Sequence, residues 1–81
     1  MIEGFDDIEL RVRKVIKDVL QVNEADVKKG STIVDLGGDS LSALGILSKL
    51  EEEFDIGIPD EDALKINSFA TAVEVVRSRV G

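Results

Sequence analysis

The strongest constraint on this chain lies between Asp35 and Phe54. The run Asp35-Leu36-Gly37-Gly38-Asp39-Ser40-Leu41 leads into a helical pattern that ends in Leu50-Glu51-Glu52-Glu53-Phe54. The glycine pair breaks the backbone. Aspartate is among the best N-cap residues because its oxygens accept the free N–H groups of a first turn, so Asp39 marks a helix start and Ser40 opens the helix behind it. At about 100° per residue, Ala43, Ile46, Leu47, Leu50 and Phe54 share one inward arc. Leu41 and Leu44 fall away from that arc, close to Ser40. The spacing predicts a helix from Asp39 or Ser40 to about Asp55. It offers the Ser40 hydroxyl at the positive end of the helix, where a phosphate ester would be favoured by the dipole and the orphan amides. The glycines are read as keeping the approach to it open. The plain alternative is a capped helix after a turn, with no further role.

The rest of the chain supplies packing partners. Residues 1–5 read as a loose lead-in, with Phe5 placed for a hydrophobic staple. Asp6 and Glu9 have capping-box spacing, and Ile8, Val12, Val15, Ile16 and Val19 step by threes and fours to about Leu20. Leu10 is off that stripe and expected half exposed. Residues 21–38 have no period, yet Val22, Val27, Ile33 and Leu36 are spaced apolar anchors, so the segment is expected to strap across a bundle. Pro59 ends the second helix. Asp60 is expected to cap a short third helix to about Ile66, with Ala63 and Ile66 facing in. Asn67 or Ser68 should cap the last helix, whose stripe is Phe69, Ala72, Val73, Val76 and Val80. The expected fold is an all-α antiparallel four-helix bundle in one domain over residues 1–81: three main helices, a short third one, and a long loop between the first two. Gly45 interrupts the second helix at a cost of about 1 kcal/mol relative to alanine. It is placed on the outer face, where Ser42 and Ser48 make the same flank small and neutral.

Composition removes several function classes. The 81 residues include no histidine and no cysteine, so Ser-His and Cys-His pairs and the usual zinc sites are impossible. Any thioester chemistry would need a sulfur from a cofactor. The net charge of −7 argues against nucleic acid, whose binding needs Lys and Arg against phosphates, and favours basic protein surfaces. From Glu51 to Asp62 stand seven acids and no base; the plain reading is a solvated face. No apolar run approaches a membrane span, and Met1-Ile2-Glu3 does not open a signal peptide, so a cytoplasmic protein is expected. Asp35, Gly37 and Asp39 fail as a calcium loop because Ile46 stands where the glutamate belongs.

The motif Asp35-Leu36-Gly37-Gly38-Asp39-Ser40-Leu41 resembles the phosphopantetheine-attachment motif of the acyl carrier protein family. The likeness continues through Leu50-Glu51-Glu52-Glu53-Phe54 and Ile58-Pro59-Asp60-Glu61, and covers the chain from about Ile8 to Val80. It implies that Ser40, flanked by Asp39 and Leu41, bears a 4′-phosphopantetheine arm donated by coenzyme A. The thiol of that arm would hold acyl groups as thioesters, while the protein itself catalyses nothing. The implied partners are a phosphopantetheinyl transferase and acyl-loading and acyl-processing enzymes with basic docking surfaces. Leu41 and Leu44 would give the apolar contact, Glu51, Glu52 and Glu53 the steering, and the protein would be a monomer. Ser42, Gly45, Gly57 and Leu64 stand where bacterial fatty-acid carriers commonly have acids. The spacing from Ile33 to Ser40 is one residue tighter, which is more similar to carriers of polyketide and peptide assembly. The implied pathway is therefore fatty-acid, polyketide or a related specialised one. The rival class is a small helical adaptor that never receives a prosthetic group.

Overall fold

Asp6 starts the first helix through a reciprocal pair of bonds. Its carboxylate accepts from the Glu9 amide and the Glu9 carboxylate accepts from the Asp6 amide, both at 2.9 Å, which is the expected capping box. Helix α1 then spans Asp7–Leu20 in a computed structural model that describes residues 4–80. The lead-in expected at residues 1–5 lies outside the described residues as far as residue 3. Val12, Val15 and Ile16 are buried, Ile8 and Val19 flank them, and Leu10 is half exposed, as the stripe predicts. Phe5 turns to the last helix, its ring edge-on to Phe69 at 5.8 Å between centroids. The Arg13 guanidinium sits over the same ring at 4.6 Å.

The Asp6 carboxyl is held below its ordinary value by the Glu9 amide first and the Arg77 guanidinium second. A depressed folded value means that this group adds stability above about pH 4 and loses it as pH falls further. Asp6→Asn should therefore be less stable than the parent at pH 7, and the two acid-unfolding curves followed by circular dichroism should converge below pH 4. Parallel curves would remove Asp6 from the acid transition.

The strap expected over residues 21–38 is present. After a 3₁₀ turn at Glu24–Asp26, Val27 and Ile33 are buried, with Val22 and Leu36 packed against the core. Its end is fastened to the start of the last helix. The Ile33 amide donates to the Asn67 carbonyl at 2.9 Å, the Phe69 amide to the Ser31 carbonyl at 3.0 Å, and Thr32 pairs with Ser68 in an isolated bridge.

Helix α2 spans Ser40–Phe54. It runs antiparallel to α1: Arg11 Nε meets Glu53 Oε2 at 2.8 Å at one end, while Val19 faces Gly45 nearer the other. Arg11 also covers the Phe54 ring at 4.3 Å. Helix α3 is a single turn, Asp60–Ala63, and here the expectation needs correcting. Asp60 is the first helical residue rather than the cap, because extended Pro59 takes the N-cap position and makes no side-chain cap bond. The helix stops short of Ile66 because bonding tightens to i→i+3: Lys65 donates to Asp62 at 3.0 Å and Ile66 to Ala63 at 3.2 Å. Ala63 and Ile66 still face inward.

Helix α4 spans Phe69–Val80. Ser68, rather than Asn67, is its cap: Ser68 Oγ accepts from the Thr71 amide at 3.2 Å, and Thr71 Oγ1 accepts from the Ser68 amide at 3.0 Å. Its stripe is Phe69, Ala72, Val73, Val75 and Val76. Val80, expected inside, is 43% exposed, because the whole turn after Val76 lies outside the core. Arg77 reaches Asp6 of α1, and Arg79 Nε donates to the Gly57 carbonyl at 3.2 Å. The described residues are thus all-α, a bundle of three long helices and one short turn, without a strand. Among them no helix is long and apolar enough to cross a membrane.

Candidate functional site

The turn before α2 is built by its glycines. Gly37 has φ +88°, a conformation that side chains strain against. The Gly38 amide donates to the Ile33 carbonyl at 2.8 Å. A Cβ on Gly38 would stand 2.5 Å from Ile33 Cγ2 and 2.8 Å from Leu20 Cδ2. This corrects, for Gly38, the reading that the glycines clear an approach to the serine. Gly38 faces inward, and its smallness lets the turn close onto α1.

Asp39 follows as the N-cap of α2. Its Oδ1 accepts from the Ser42 amide at 3.0 Å and from the Ser42 hydroxyl at 3.2 Å. Those bonds, the amide first, hold its carboxyl below the ordinary value, so it is an anion at neutral pH. Ser40 is the first helical residue and is exposed. Its hydroxyl takes no part in the cap network. Ser40 therefore stands at an unencumbered helix N-terminus, one residue from a carboxylate that is turned back into its own cap.

Ser40 also stands at the edge of an apolar groove of about 450 Å³. Ala43, Leu44 and Leu47 of α2 form the near wall; Ile33, Val34, Ala63, Leu64 and Ile66 form the far one. Polar lining is confined to Asp39, Ser40 and Asn67. Leu41 is 75% and Leu44 59% exposed, which places both beside Ser40 as expected; Leu44 lines the groove and Leu41 stands outside it. Two further exposed apolar residues at this edge, Val34 and Leu64, were not picked out as site residues. Leu64 was visible as a departure from an acidic position, whereas Val34 sits in an aperiodic loop and carries no sequence signal.

The acidic run divides. Glu51, Glu52 and Glu53 lie eleven to thirteen residues beyond Ser40, about 17–20 Å along the helix at 1.5 Å per residue. Glu51 Oε2 accepts from the Ile58 amide at 2.9 Å and fastens the connection after α2. Glu53 is held by Arg11, through its carboxylate and through its carbonyl at 2.6 Å. Glu52 is exposed and borders a cleft with Lys14 and Lys49. Two of the three acids expected to steer partners thus have internal work. Gly45 also departs from expectation: it is half-buried and faces α1, where a Cβ would stand 3.2 Å from Val19 Cγ1. It is not on the outer face.

A family model described as Phosphopantetheine attachment site matches residues 10–76. The matched span runs from early α1 to Val76, the last buried residue of α4, and includes the Gly37-Gly38 turn, all of α2 and both walls of the groove.

Proposed function

The chain belongs to the phosphopantetheine attachment site family, and on that premise we propose that it is an acyl carrier whose 4′-phosphopantetheine arm is attached to Ser40. The arm, donated by coenzyme A, supplies a terminal thiol that holds an acyl group as a thioester. One observation carries the choice of residue. Of the six serines, Ser31, Ser42, Ser68 and Ser78 have hydroxyls engaged in hydrogen bonds, and Ser48 lies on the outside of α2 two turns along. Ser40 alone combines an exposed, unengaged hydroxyl with a helix N-terminus and a groove mouth.

The residues fit the group. The first-turn amides of α2 and its dipole favour the phosphodiester, while the Asp39 carboxylate is directed at Ser42 and away from it. The apolar groove offers a linear chain cover from water beside its attachment point. The chain positions and shields the arm; without histidine or cysteine it holds no Ser-His or Cys-His pair, and we read it as a carrier rather than a catalyst. The cargo belongs to a fatty-acid, polyketide or related specialised pathway, and the whole chain is read as one monomeric carrier-type domain. Mapping the modified peptide after incubation with coenzyme A and a phosphopantetheinyl transferase tests the site. The arm is expected on the Ser40 peptide, and finding it on Ser48 or Ser42 would overturn the assignment.

Docking to the transferase and to acyl-processing enzymes is assigned to the exposed leucines Leu41 and Leu44, with Glu52 as the steering charge. Truncating a central apolar anchor commonly costs more than 1 kcal/mol of binding, so Leu44→Ala should lower kcat/KM with the transferase about fivefold or more. Glu52→Gln should act on association rate and weaken with salt. Glu51→Gln should instead lower the melting temperature, because it loosens the acceptor for the Ile58 amide. Equal, salt-dependent losses for Glu51→Gln, Glu52→Gln and Glu53→Gln with unchanged melting temperatures would contradict this division.

A further inference from the structure

The turn before α2 and the first half of the helix each meet α1 at a glycine. A Cβ on Gly38 would stand 2.8 Å from Leu20 Cδ2, and one on Gly45 3.2 Å from Val19 Cγ1. Val19 and Leu20 are the last two residues of α1, so both glycines meet the same helix end. Val19 cannot swing aside freely, because a β-branched side chain in a helix has one strongly preferred χ1 rotamer. On an α-helix Leu47 is 200° round from Gly45 and Ser40 is 500° round, so both point about 150° away from it. The groove beside Ser40 therefore lies on the side of α2 opposite the glycine contact.

At Ile33 the far wall of that groove is fastened to the start of α4, with one further bond, from the Gly38 amide at 2.8 Å, to the turn before α2. The Ile33 amide donates to the Asn67 carbonyl, and the two residues before Ile33 are fastened to the start of α4 by the Ser31–Phe69 bond and the Thr32–Ser68 bridge. A shift of α2 away from α1 would carry Ala43 and Leu47 toward a wall fastened to α4.

We propose that Gly45 sets the width of the groove beside Ser40 by letting α2 lie close against α1, and so determines how long or wide an apolar acyl group the groove admits. The cargo in this statement rests on the carrier reading; the groove width does not. Gly45 touches neither arm nor cargo and acts through the position of α2. A larger side chain there narrows the groove from behind, and shortening Val19 restores it.

The test uses Gly45→Ala, Gly45→Val and the double variant Gly45→Val with Val19→Ala. In unmodified protein, methyl NOEs between Leu47 and the far-wall residues Leu64 and Ile66 should strengthen in the single variants, more with valine, and return to the parent level in the double variant. Gly45→Ala keeps the comparison open if the valine variant fails to fold. With the arm attached and loaded, hydroxylamine should cleave a decanoyl thioester about fourfold faster in Gly45→Val, the worth of about one buried methylene lost, and an acetyl thioester at the parent rate. Unchanged NOEs would overturn the proposal, as would equal changes for the two thioesters. Failure of the parent protein to accept the arm would instead sink the carrier reading, while the NOE comparison would still decide the groove.

Discussion

Phe69→Ala should cost about 3–5 kcal/mol of folding stability, the usual range for removing a fully buried aromatic ring. Phe69 is 2% exposed and the largest of the fully buried side chains. The other large, fully buried side chains of the core, Ile16, Ile46, Leu50, Val12, Val27 and Val76, are all aliphatic, so none of them matches the volume that the ring would vacate. The loss would also free the Phe5 ring, which meets Phe69 edge-on. A domain of 81 residues has a total stability of about 4–12 kcal/mol at typical per-residue values. The variant should therefore stand at the edge of unfolding, with a urea midpoint far below the parent's. Because the Phe69 amide is itself one of the points at which the strap is fastened, the groove wall at Ile33 should loosen with it. Phe69→Leu, which keeps much of the volume, should lose under half as much. A loss below about 1 kcal/mol for the alanine variant would mean that the core collapses onto the site, contrary to the packing described.

Ser40→Ala should abolish attachment of the arm completely and leave the fold intact. The hydroxyl is exposed and takes no part in the cap, which belongs to Asp39 and Ser42. Alanine is also the best helix former, so the melting temperature should hold or rise slightly. Ser42→Ala should do the reverse in kind. It removes one of the two bonds on Asp39 Oδ1, frays the start of α2 and slows attachment without preventing it. If Ser40→Ala still gains the arm, the assigned residue is wrong; if it unfolds, the serine has a structural role that the cap geometry does not contain.

The legible parts of this chain were those written in local chemistry. Asp6 with Glu9, and Asp39 after the Gly37-Gly38 pair, announced two helix starts, and the stripes through Val12, Ile16, Ile46 and Leu50 announced their inner faces, because caps and apolar periods act within a few residues. Long-range partners were illegible. Glu53 looked like a free acid, but Arg11 that claims it is 42 residues earlier in the chain. Gly45 looked like an outer-face residue because a glycine adds nothing to an apolar stripe, and the side turned to α1 depends on how the two helices cross. The short helix was misjudged because its tightening to i→i+3 bonds leaves no pattern in the residues. Half of the groove comes from the same aperiodic stretches: Ile33 and Val34 line it from the strap, Leu64 and Ile66 from the turn after α3. The near wall could be read, and the cavity it closes could not.

The most direct test of the account is the intact mass of the unaltered protein after incubation with coenzyme A and a phosphopantetheinyl transferase. The account predicts a quantitative gain of one phosphopantetheine per chain, neither zero nor two, and a thiol on the product that accepts one acyl group from an acyl donor. No gain with several competent transferases, on protein whose circular dichroism shows the helical fold, would contradict it.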